Sequence, residues 1–352
     1  MPETGLAPSI LGVGRAWLSS GSGIGLRRLD PDRRLRFIAG TMPPPPRRPA
    51  QRAASLFKGT ESFVTLGDWL RFAVSLFNRE GLEFAQGTPH AGDEALALIK
   101  WALHLDEDIQ PFMTARLTTT ELGELKDLIA RRVADHVPLA YLTGEAWLGG
   151  QRFAVNEHTL IPRSYFVELI QGEPGLGAWL GARKPRRILE LCTGSGCLAI
   201  LLAQRFPEAL VSATDLSHDA LDVAQHNIEE HALAGRVELR QGDLFGALED
   251  ERFDLIVANP PYEPTALCDR LSPELKHEPR LALDGGADGM DLVRRIVREA
   301  RAHLAPGGVL AIELGGLRTV LTAEFPGLPF EWPVLADGST AVCVIRAKDL
   351  PR

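Results

Sequence analysis

The chain has 352 residues, of which 45% are hydrophobic and 24% are charged, and this composition is typical of a globular protein with about two domains. A formal net charge of −8 excludes a general electrostatic attraction to nucleic acid, so a duplex substrate is disfavoured. No apolar stretch approaches the roughly 18 residues of a membrane-spanning helix, and no membrane association is expected. The four cysteines lack metal-ligand spacing, which predicts free thiols in a reducing, cytoplasmic compartment and no metal site.

Residues 1–55 differ in composition from the rest of the chain. They carry nine arginines and three acidic residues, a net charge of +6 against −14 for the remainder. Together with many glycines and serines and a proline run at 43–46, this predicts a disordered Arg/Pro-rich tail. The arginines are also compatible with RNA binding or with an organelle transit peptide, and Met42 is an alternative start site.

Residues 56–140 show the three- and four-residue spacing of amphipathic helices. A third helix is predicted to begin at Thr118, with Glu121 three residues later. No set of residues here has catalytic spacing, so this part is predicted to be a small helical domain that docks the substrate. The apolar positions of the first two helices are Leu66, Trp69, Leu70, Phe72, Ala73 and Phe77, then Leu96, Leu98, Ile99, Ala102 and Leu103.

Residues 141–165 are predicted to form a connecting β-hairpin that turns at Gly149 and Gly150. From residue 166 to residue 352, strands and helices alternate as in an α/β protein with a doubly wound sheet. A turn is predicted at Pro306–Gly308, before the fifth strand. The predicted strands are residues 188–191, 210–213, 237–240, 253–258, 309–313 and 341–345, with helices at 198–205 and 220–231.

The loop after the first of these strands has the glycines of a nucleotide-type site. Gly194 and Gly196 let a ligand approach the backbone where a β-carbon would clash. The third glycine of the dinucleotide pattern is missing, and the carboxylate of Glu190 would repel a pyrophosphate but could hold an ammonium group. The loop therefore favours S-adenosylmethionine over NAD and disfavours a dehydrogenase. Cys192 and Thr193 are included among the predicted cofactor-binding residues.

Two further acidic residues follow the second and third strands. Asp215 is positioned to accept both ribose hydroxyls of a cofactor, although a helix N-cap near Ser217 is an alternative interpretation. Asp243 could accept the amine of an adenine, or it could be a simple turn residue. Asn227, on the helix after Asp215, is interpreted as an exposed polar residue.

The fourth strand, residues 253–258, runs into Asn259-Pro260-Pro261-Tyr262. Proline lacks an N–H group and fixes φ, so the strand must stop there in a stiff turn. The side-chain amide of Asn259 and the carbonyls of Asn259 and Pro260 can then converge as acceptors for an –NH2 group. A proline turn without function is the usual explanation of such a sequence, but its position downstream of the glycine loop favours a site.

This ordered set of Glu190, Asp215, Asp243 and Asn259 resembles a class I methyltransferase. The resemblance implies a Rossmann-like, seven-stranded sheet and S-adenosyl-L-methionine as the cofactor. The turn of four residues is similar to that of enzymes that methylate planar –NH2 groups, which implies catalytic roles for Asn259, Pro260, Pro261 and Tyr262.

Further motifs resemble the protein glutamine N(5)-methyltransferases, over residues 62–347. They are Ile161-Pro162-Arg163, the loop from Glu190 to Cys197, Asn-Pro-Pro-Tyr, Glu278-Pro279, and the run from Leu281 to Gly289. Segments 141–147 and 271–279 are most similar to the branch that acts on the third large-subunit ribosomal protein. This implies methylation of a glutamine side-chain amide in that protein and a substrate loop containing His277, Glu278 and Pro279.

Three other functions are also compatible with the sequence. The same turn occurs in enzymes that methylate the glutamine of peptide chain release factors or the adenine amine of nucleic acid, although the acidic body and the lack of an aromatic-basic groove argue against nucleic acid. A non-enzymatic ribosome-assembly factor could retain the fold as a binding platform. The sequence also departs from the family in carrying Glu190 where many methyltransferases have aspartate, and in a tail without a counterpart.

Overall fold

A computed structural model describes residues 55–84, 86–106, 108–173, 175–181 and 183–351. Except for Ser55, the predicted tail of residues 1–55 lies outside the described residues, as does Met42. The described chain forms two compact units. The helical unit comprises residues 55–144 together with Pro273–His277, and the sheet unit comprises Glu145–Ser272 and residues 278–351.

The helical unit contains α1 Leu66–Arg79, α2 Ala91–Ala102, α3 Thr119–Ala134 and α4 Leu139–Thr143. The threonine that precedes α3, Thr118, forms a capping box with Glu121, which satisfies backbone N–H groups that the first turn leaves unpaired. This confirms the predicted helix start. The apolar faces of the helices meet in one core around the fully buried Trp69.

Arg132 of α3 is a fully buried cation within the helical unit. Its Nε donates to Glu94 Oε1 at 2.5 Å, and its Nη1 donates to Glu274 Oε1 at 3.3 Å. Its Nη2 donates to the carbonyl of Glu83 at 2.8 Å. Because Glu274 lies in Pro273–His277, this network fixes that short segment within the helical unit.

The sheet unit begins with an antiparallel hairpin of β1 Glu145–Leu148 and β2 Gln151–Ala154. Gly149 and Gly150 form its turn, as predicted. The boundary between the units falls between Gly144 and Glu145, so the hairpin is part of the sheet unit rather than a separate linker. The helices α5 Phe166–Gln171 and α6 Gly177–Leu180 follow it.

Within the described residues, the central sheet consists of β3 Arg187–Leu191, β4 Leu210–Asp215, β5 Val237–Gln241, β6 Phe253–Ala258, β7 Leu304–Glu313 and β8 Val342–Arg346. These six strands lie in the order β5-β4-β3-β6-β7-β8, and of them only β8 runs antiparallel to its neighbour. Helices bury the sheet on both faces in two apolar clusters, which confirms the predicted α/β fold. The helices are α7 Cys197–Arg205, α8 His218–Glu230, α9 Thr265–Cys268, α10 Asp291–Glu299 and α11 Arg318–Glu324.

The predicted seventh strand is reduced to a single bridge in the part of the chain that the structure describes. Glu331 exchanges both backbone hydrogen bonds with Val344 of β8, each at 2.8 Å, but no ladder continues from there. Pro329 and Pro333 stand on either side of this residue. Since proline cannot donate to a ladder, the segment stops at one antiparallel pair, and the prediction of seven full strands is wrong in this detail.

The Pro306-Gly307-Gly308 segment also differs from the prediction of a turn before the fifth strand. The strand β7 already begins at Leu304, and its pairing with β6 shifts register between Phe253 and Leu255. The extra residues form an irregular bulge, which accommodates a proline because the ladder is interrupted there.

No helix within the described ranges is long and apolar enough to cross a membrane. The four cysteines are all free thiols. Burial raises the pKa of Cys268 to about 11 and the pKa values of Cys197 and Cys343 to about 12, so these three side chains stay neutral thiols near pH 7.

Candidate functional site

The predicted site residues follow the carboxyl ends of four parallel strands. Glu190 lies in β3, Asp215 ends β4, Asp243 follows β5 and Asn259 follows β6. Because the sheet order is β5-β4-β3-β6, these positions lie in a row along one edge of the sheet. The chain reverses its direction of winding at β3, and open α/β sheets bind ligands at such a switch point.

A cavity of about 210 Å³ opens at this edge. Apolar groups such as Leu216, Leu244 and Leu292 form much of its wall, and the carboxyl groups of Asp215 and Asp243 supply polar positions. An apolar cleft with a few polar groups is the usual form of a small-molecule site. The predicted site residues that line it are Cys192, Gly194, Asp215, Asp243, Asn259, Pro261 and Pro279.

Asp215 ties the glycine loop to the helix that follows β4. Its Oδ2 accepts from the N–H of Gly194 at 2.8 Å, and its Oδ1 accepts from the N–H of Ser217 at 2.9 Å. Ser217 is the N-cap residue of α8 and its hydroxyl accepts from Ala220, so the capping role considered for this region belongs to the serine. Each carboxylate oxygen can accept more than one hydrogen bond, which leaves Asp215 able to bind a ligand hydroxyl.

Three residues of the glycine loop region, Glu190, Thr193 and Gly196, are not among the described residues that line the cavity. The carboxyl of Glu190 is buried and accepts from the hydroxyl of Thr193 at 2.5 Å. Gly196 is the N-cap residue of α7. The three residues therefore stabilise the loop, whereas Cys192 and Gly194 line the cavity.

Burial raises the pKa of Glu190 to about 8 from an ordinary value of 4.5. A carboxyl that binds its proton more tightly in the folded state stabilises the fold fully below the unfolded pKa, and this stabilisation is lost as the pH rises through the folded pKa. We therefore expect the free energy of unfolding to decrease as the pH rises from 4.5 to 8. In Glu190→Gln this decrease should be smaller by on the order of a few kcal/mol. Urea unfolding of both proteins from pH 5 to pH 9 measures this, and parallel profiles would contradict it.

Two cavity residues other than glycine have left-handed backbones. Cys192 has φ 59° and Leu244 has φ 52°, and such conformations in L-residues are concentrated at functional sites. Asp243, which precedes Leu244 in the chain, accepts at Oδ1 from Arg295 Nη1 at 3.0 Å, so one of its oxygens already has a partner. Its other oxygen is the acceptor that would remain for a ligand amine.

The Asn-Pro-Pro-Tyr turn lines a second, smaller pocket together with Arg163. Asn259 lines both this pocket and the larger cavity. Its side-chain amide makes no hydrogen bond to any other described residue. The turn therefore presents free acceptor and donor groups at the point where the two spaces meet. The other residues of the small pocket are Leu160, Pro260, Tyr262, Ala282 and Leu283.

Two glycines allow close packing against Tyr262. A β-carbon on Gly289 would lie 2.3 Å from the carbonyl oxygen of Tyr262, and one on Gly315 would lie 2.9 Å from Cε2 of its ring. Both glycines have left-handed backbones, with φ 80° and φ 52°. Only glycine meets both demands, so these two positions fix the backbone and the ring of the turn.

Gly289→Ala is expected to destabilise the protein by on the order of 2 kcal/mol or more and to displace the turn. Gly123→Ala is the matched control, because a β-carbon there meets nothing within 4 Å and alanine favours the helix α3. Thermal unfolding of both variants measures the effect. Equal melting temperatures for the two variants would contradict the role assigned to Gly289.

The chain is similar in sequence to several proteins of known activity. A family model described as "Methyltransferase small domain" matches residues 176–270. A ribosomal protein uL3 glutamine methyltransferase from Bordetella pertussis is 46% identical over 294 residues, which cover 82% of this chain and 97% of the relative. One from Bradyrhizobium diazoefficiens is 44% identical and covers 86% of this chain and 96% of the relative. The chain belongs to the ribosomal protein uL3 glutamine methyltransferase family.

Among solved structures, a methyltransferase from Pyrococcus furiosus is 22% identical, covering 49% of this chain and 80% of that one, with a TM-score of 0.37. The predicted family and the predicted class of enzyme, a methyltransferase, are confirmed by the sequence relatives. A methyl donor is therefore required, and the cavity beside Asn259 offers space for it.

The methyltransferase divides its predicted substrate loop between the two units. His277 belongs to the helical unit, where its Nε2 lies 2.8 Å from the carbonyl of Asp135. Glu278 is buried in the sheet unit beneath Arg163, and Pro279 lines the large cavity. The three consecutive residues thus have three different environments, and their role as a substrate loop stays a prediction.

The prediction that Asn227 is an exposed polar residue is wrong, because this residue of the methyltransferase is fully buried in α8. Its Nδ2 donates to the carbonyls of Ala154 and Ser195, and its Oδ1 accepts from the N–H of Ala154. Asn227 therefore joins the hairpin to the glycine loop. An asparagine on the inner face of an otherwise apolar helical pattern was the available signal.

Proposed function

We propose that this protein transfers a methyl group from S-adenosyl-L-methionine to the side-chain amide nitrogen of a glutamine in ribosomal protein uL3. The observation that carries the proposal is that Asn259 lines both the large cavity and the small pocket. A methyl donor in the cavity and a carboxamide in the pocket would then meet at Asn259, whose acceptor groups suit an –NH2 group.

The residues of the large cavity fit S-adenosyl-L-methionine in charge and in polarity. Apolar walls at Leu216, Leu244 and Leu292 suit an adenine ring, and Asp215 suits ribose hydroxyls. Asp243 would accept from the adenine amine, while the loop at Cys192 and Gly194 would follow the amino-acid part. When bound, this cofactor supplies an electrophilic methyl group on a sulfonium.

The protein's own contribution to catalysis is orientation. A carboxamide nitrogen is a poor nucleophile, because its lone pair is delocalised into the carbonyl group. Asn259 Oδ1 and the carbonyl of Pro260 would accept its two hydrogens and hold the nitrogen towards the methyl donor. Fixing two reacting groups in this way can lower a barrier by roughly 7–11 kcal/mol. The oriented carbonyl dipoles also favour the positive charge that develops on nitrogen, and the proton can leave after transfer without a general base.

The helical unit is the part that we propose docks the protein substrate. Its core is separate from that of the sheet unit, and the segment Pro273–His277 belongs to it. This segment lies in the stretch 271–279 that resembles the uL3 branch, so we assign the choice between glutamine substrates to it. We place the protein in the cytoplasm, where uL3 is made and where free thiols persist.

A labelled-methyl transfer assay tests the proposal. The protein is incubated with labelled S-adenosyl-L-methionine and, separately, with uL3, a class I release factor and an adenine-containing RNA. Label on uL3 alone is the expected result. Label on the release factor or on the RNA instead would identify that molecule as the substrate. Binding of the cofactor without methyl transfer to any of the three would favour an assembly factor.

A further inference from the structure

Arg163 lies in the segment between the hairpin and α5, and its side chain is 7% exposed. Its Nη1 donates to both carboxylate oxygens of Glu278, at 2.9 and 3.0 Å, and to the carbonyl of Ile161 at 3.2 Å. Glu278 Oε2 also accepts from the N–H of Ile161 at 3.2 Å. One corner of the guanidinium is therefore fixed and its charge is balanced.

The other edge of the same guanidinium has no partner among the described residues. Arg163 Nε and Nη2 are both buried, and neither makes a hydrogen bond. Leaving a buried donor unpaired is unfavourable, and more so for a charged group. These two N–H groups are parallel and lie on one edge, which suits an incoming oxygen acceptor.

This unpaired edge belongs to a residue that lines the small pocket together with Asn259, Pro260 and Tyr262. The residues that line the pocket thus include one with unpaired donors, Arg163, and two with acceptor groups, Asn259 and Pro260. A carboxamide has the matching arrangement, with an oxygen at one end of a planar group and an –NH2 at the other. A carboxylate would satisfy the arginine but would be repelled by the acceptors.

We propose that the Nε–Nη2 edge of Arg163 donates to the carbonyl oxygen of the carboxamide whose nitrogen is held by Asn259 and Pro260. Arg163 then contacts the substrate, and it selects glutamine by donating hydrogen bonds to the carbonyl oxygen of its side chain. This inference rests on the proposed function, since it takes the pocket to receive a glutamine side chain. Glu278 acts through Arg163, as the group that holds the guanidinium in this orientation.

The test is Arg163→Lys in the full-length protein, because lysine keeps a cation beside Glu278 but loses the two-donor edge. We expect kcat/KM for uL3 to fall by roughly 100-fold, with the affinity for S-adenosyl-L-methionine and the melting temperature close to those of the wild type. If this variant does not fold, the double variant Arg163→Gln with Glu278→Gln replaces it, since a neutral pair leaves no buried charge unpaired.

A second measurement separates contact with the substrate from a purely structural role. Binding of uL3 is compared with binding of uL3 whose target glutamine is changed to methionine, which has a similar length and no carboxamide. The wild type should bind the methionine form more weakly, and this difference should largely disappear in Arg163→Lys. An unchanged difference, or a loss confined to cofactor affinity, would overturn the inference. If wild-type protein transfers no methyl group to uL3, the proposed function and this inference both fail.

Discussion

Asn259→Ala is expected to lower kcat for methyl transfer by roughly 1,000-fold while the Kd of S-adenosyl-L-methionine changes by no more than about threefold. Alanine removes the side-chain acceptor that orients the amide nitrogen, whereas the prolines that shape the turn remain. The loss should appear in kcat, because the interaction strengthens as positive charge develops on nitrogen. Single-turnover transfer to uL3 and calorimetric titration of the cofactor measure the two quantities separately.

Asn78→Ala is the matched control, since Asn78 is an exposed asparagine on α1 of the helical unit. This variant should retain wild-type turnover. Near-wild-type kcat for Asn259→Ala, with the cofactor bound normally, would contradict the assignment of Asn259 as the acceptor. A large loss of cofactor affinity without a loss of kcat would instead limit Asn259 to the wall of the cavity.

Arg132→Leu is expected to destabilise the helical unit by about 3–5 kcal/mol. Arg132 is 1% exposed at its side chain and pairs with Glu94 and Glu274, which are 6% and 2% exposed. Removing the cation leaves Glu94 without its charged partner and leaves Glu274 paired only with His136, whose Nδ1 lies 3.0 Å from Glu274 Oε1. It therefore weakens the attachment of the segment Pro273–His277. Urea unfolding followed by tryptophan fluorescence measures the loss, because Trp69 lies in the core of this unit.

The control for this prediction is Arg79→Leu, which removes an arginine from the same unit. The Arg79–Glu80 pair is solvent-exposed, at 63% and 37%, and such pairs contribute about 0–1 kcal/mol. Equal stability of the two variants would show that the buried network does not stabilise the unit. If Arg132→Leu also impairs methylation of uL3 under conditions where it is folded, the segment Pro273–His277 contributes to substrate docking.

Much of the fold follows from local sequence patterns. The hairpin was predictable because the glycine pair at its turn separates two short stretches of mixed polar and apolar residues, and these form the two paired strands. Thr118 marked the start of α3 because its cap uses a residue only three positions away. Strand positions followed from apolar runs, since a buried parallel sheet requires them on both faces.

Features that depend on distant parts of the chain were not predictable in the same way. Asn227 forms hydrogen bonds with Ala154, 73 positions away, and the sequence around Asn227 does not indicate that partner. The burial of Glu190 behind its loop depends on packing that the motif does not encode. The need for glycine at positions 289 and 315 is evident only from the structure, because the backbone and ring of Tyr262 pack closely against them.

Arg163 illustrates the same limit at the site. The sequence marks it as part of a motif, but its role depends on which of its nitrogens Glu278 occupies, and Glu278 lies 115 positions away. The unpaired edge becomes visible only when each buried donor is matched with its acceptor. A sequence motif can thus indicate the kind of reaction before it indicates which atoms hold the substrate.

The most direct test of the central claim is mass spectrometry of uL3 after incubation with this protein and S-adenosyl-L-methionine. We expect one added methyl group, on the side-chain nitrogen of a single glutamine, found as N5-methylglutamine after complete digestion. It also predicts that the Asn259→Ala protein leaves uL3 unmodified over the same period. A methyl group on another type of side chain would contradict the proposed function, and the same modification with the Asn259→Ala protein would contradict the role of Asn259.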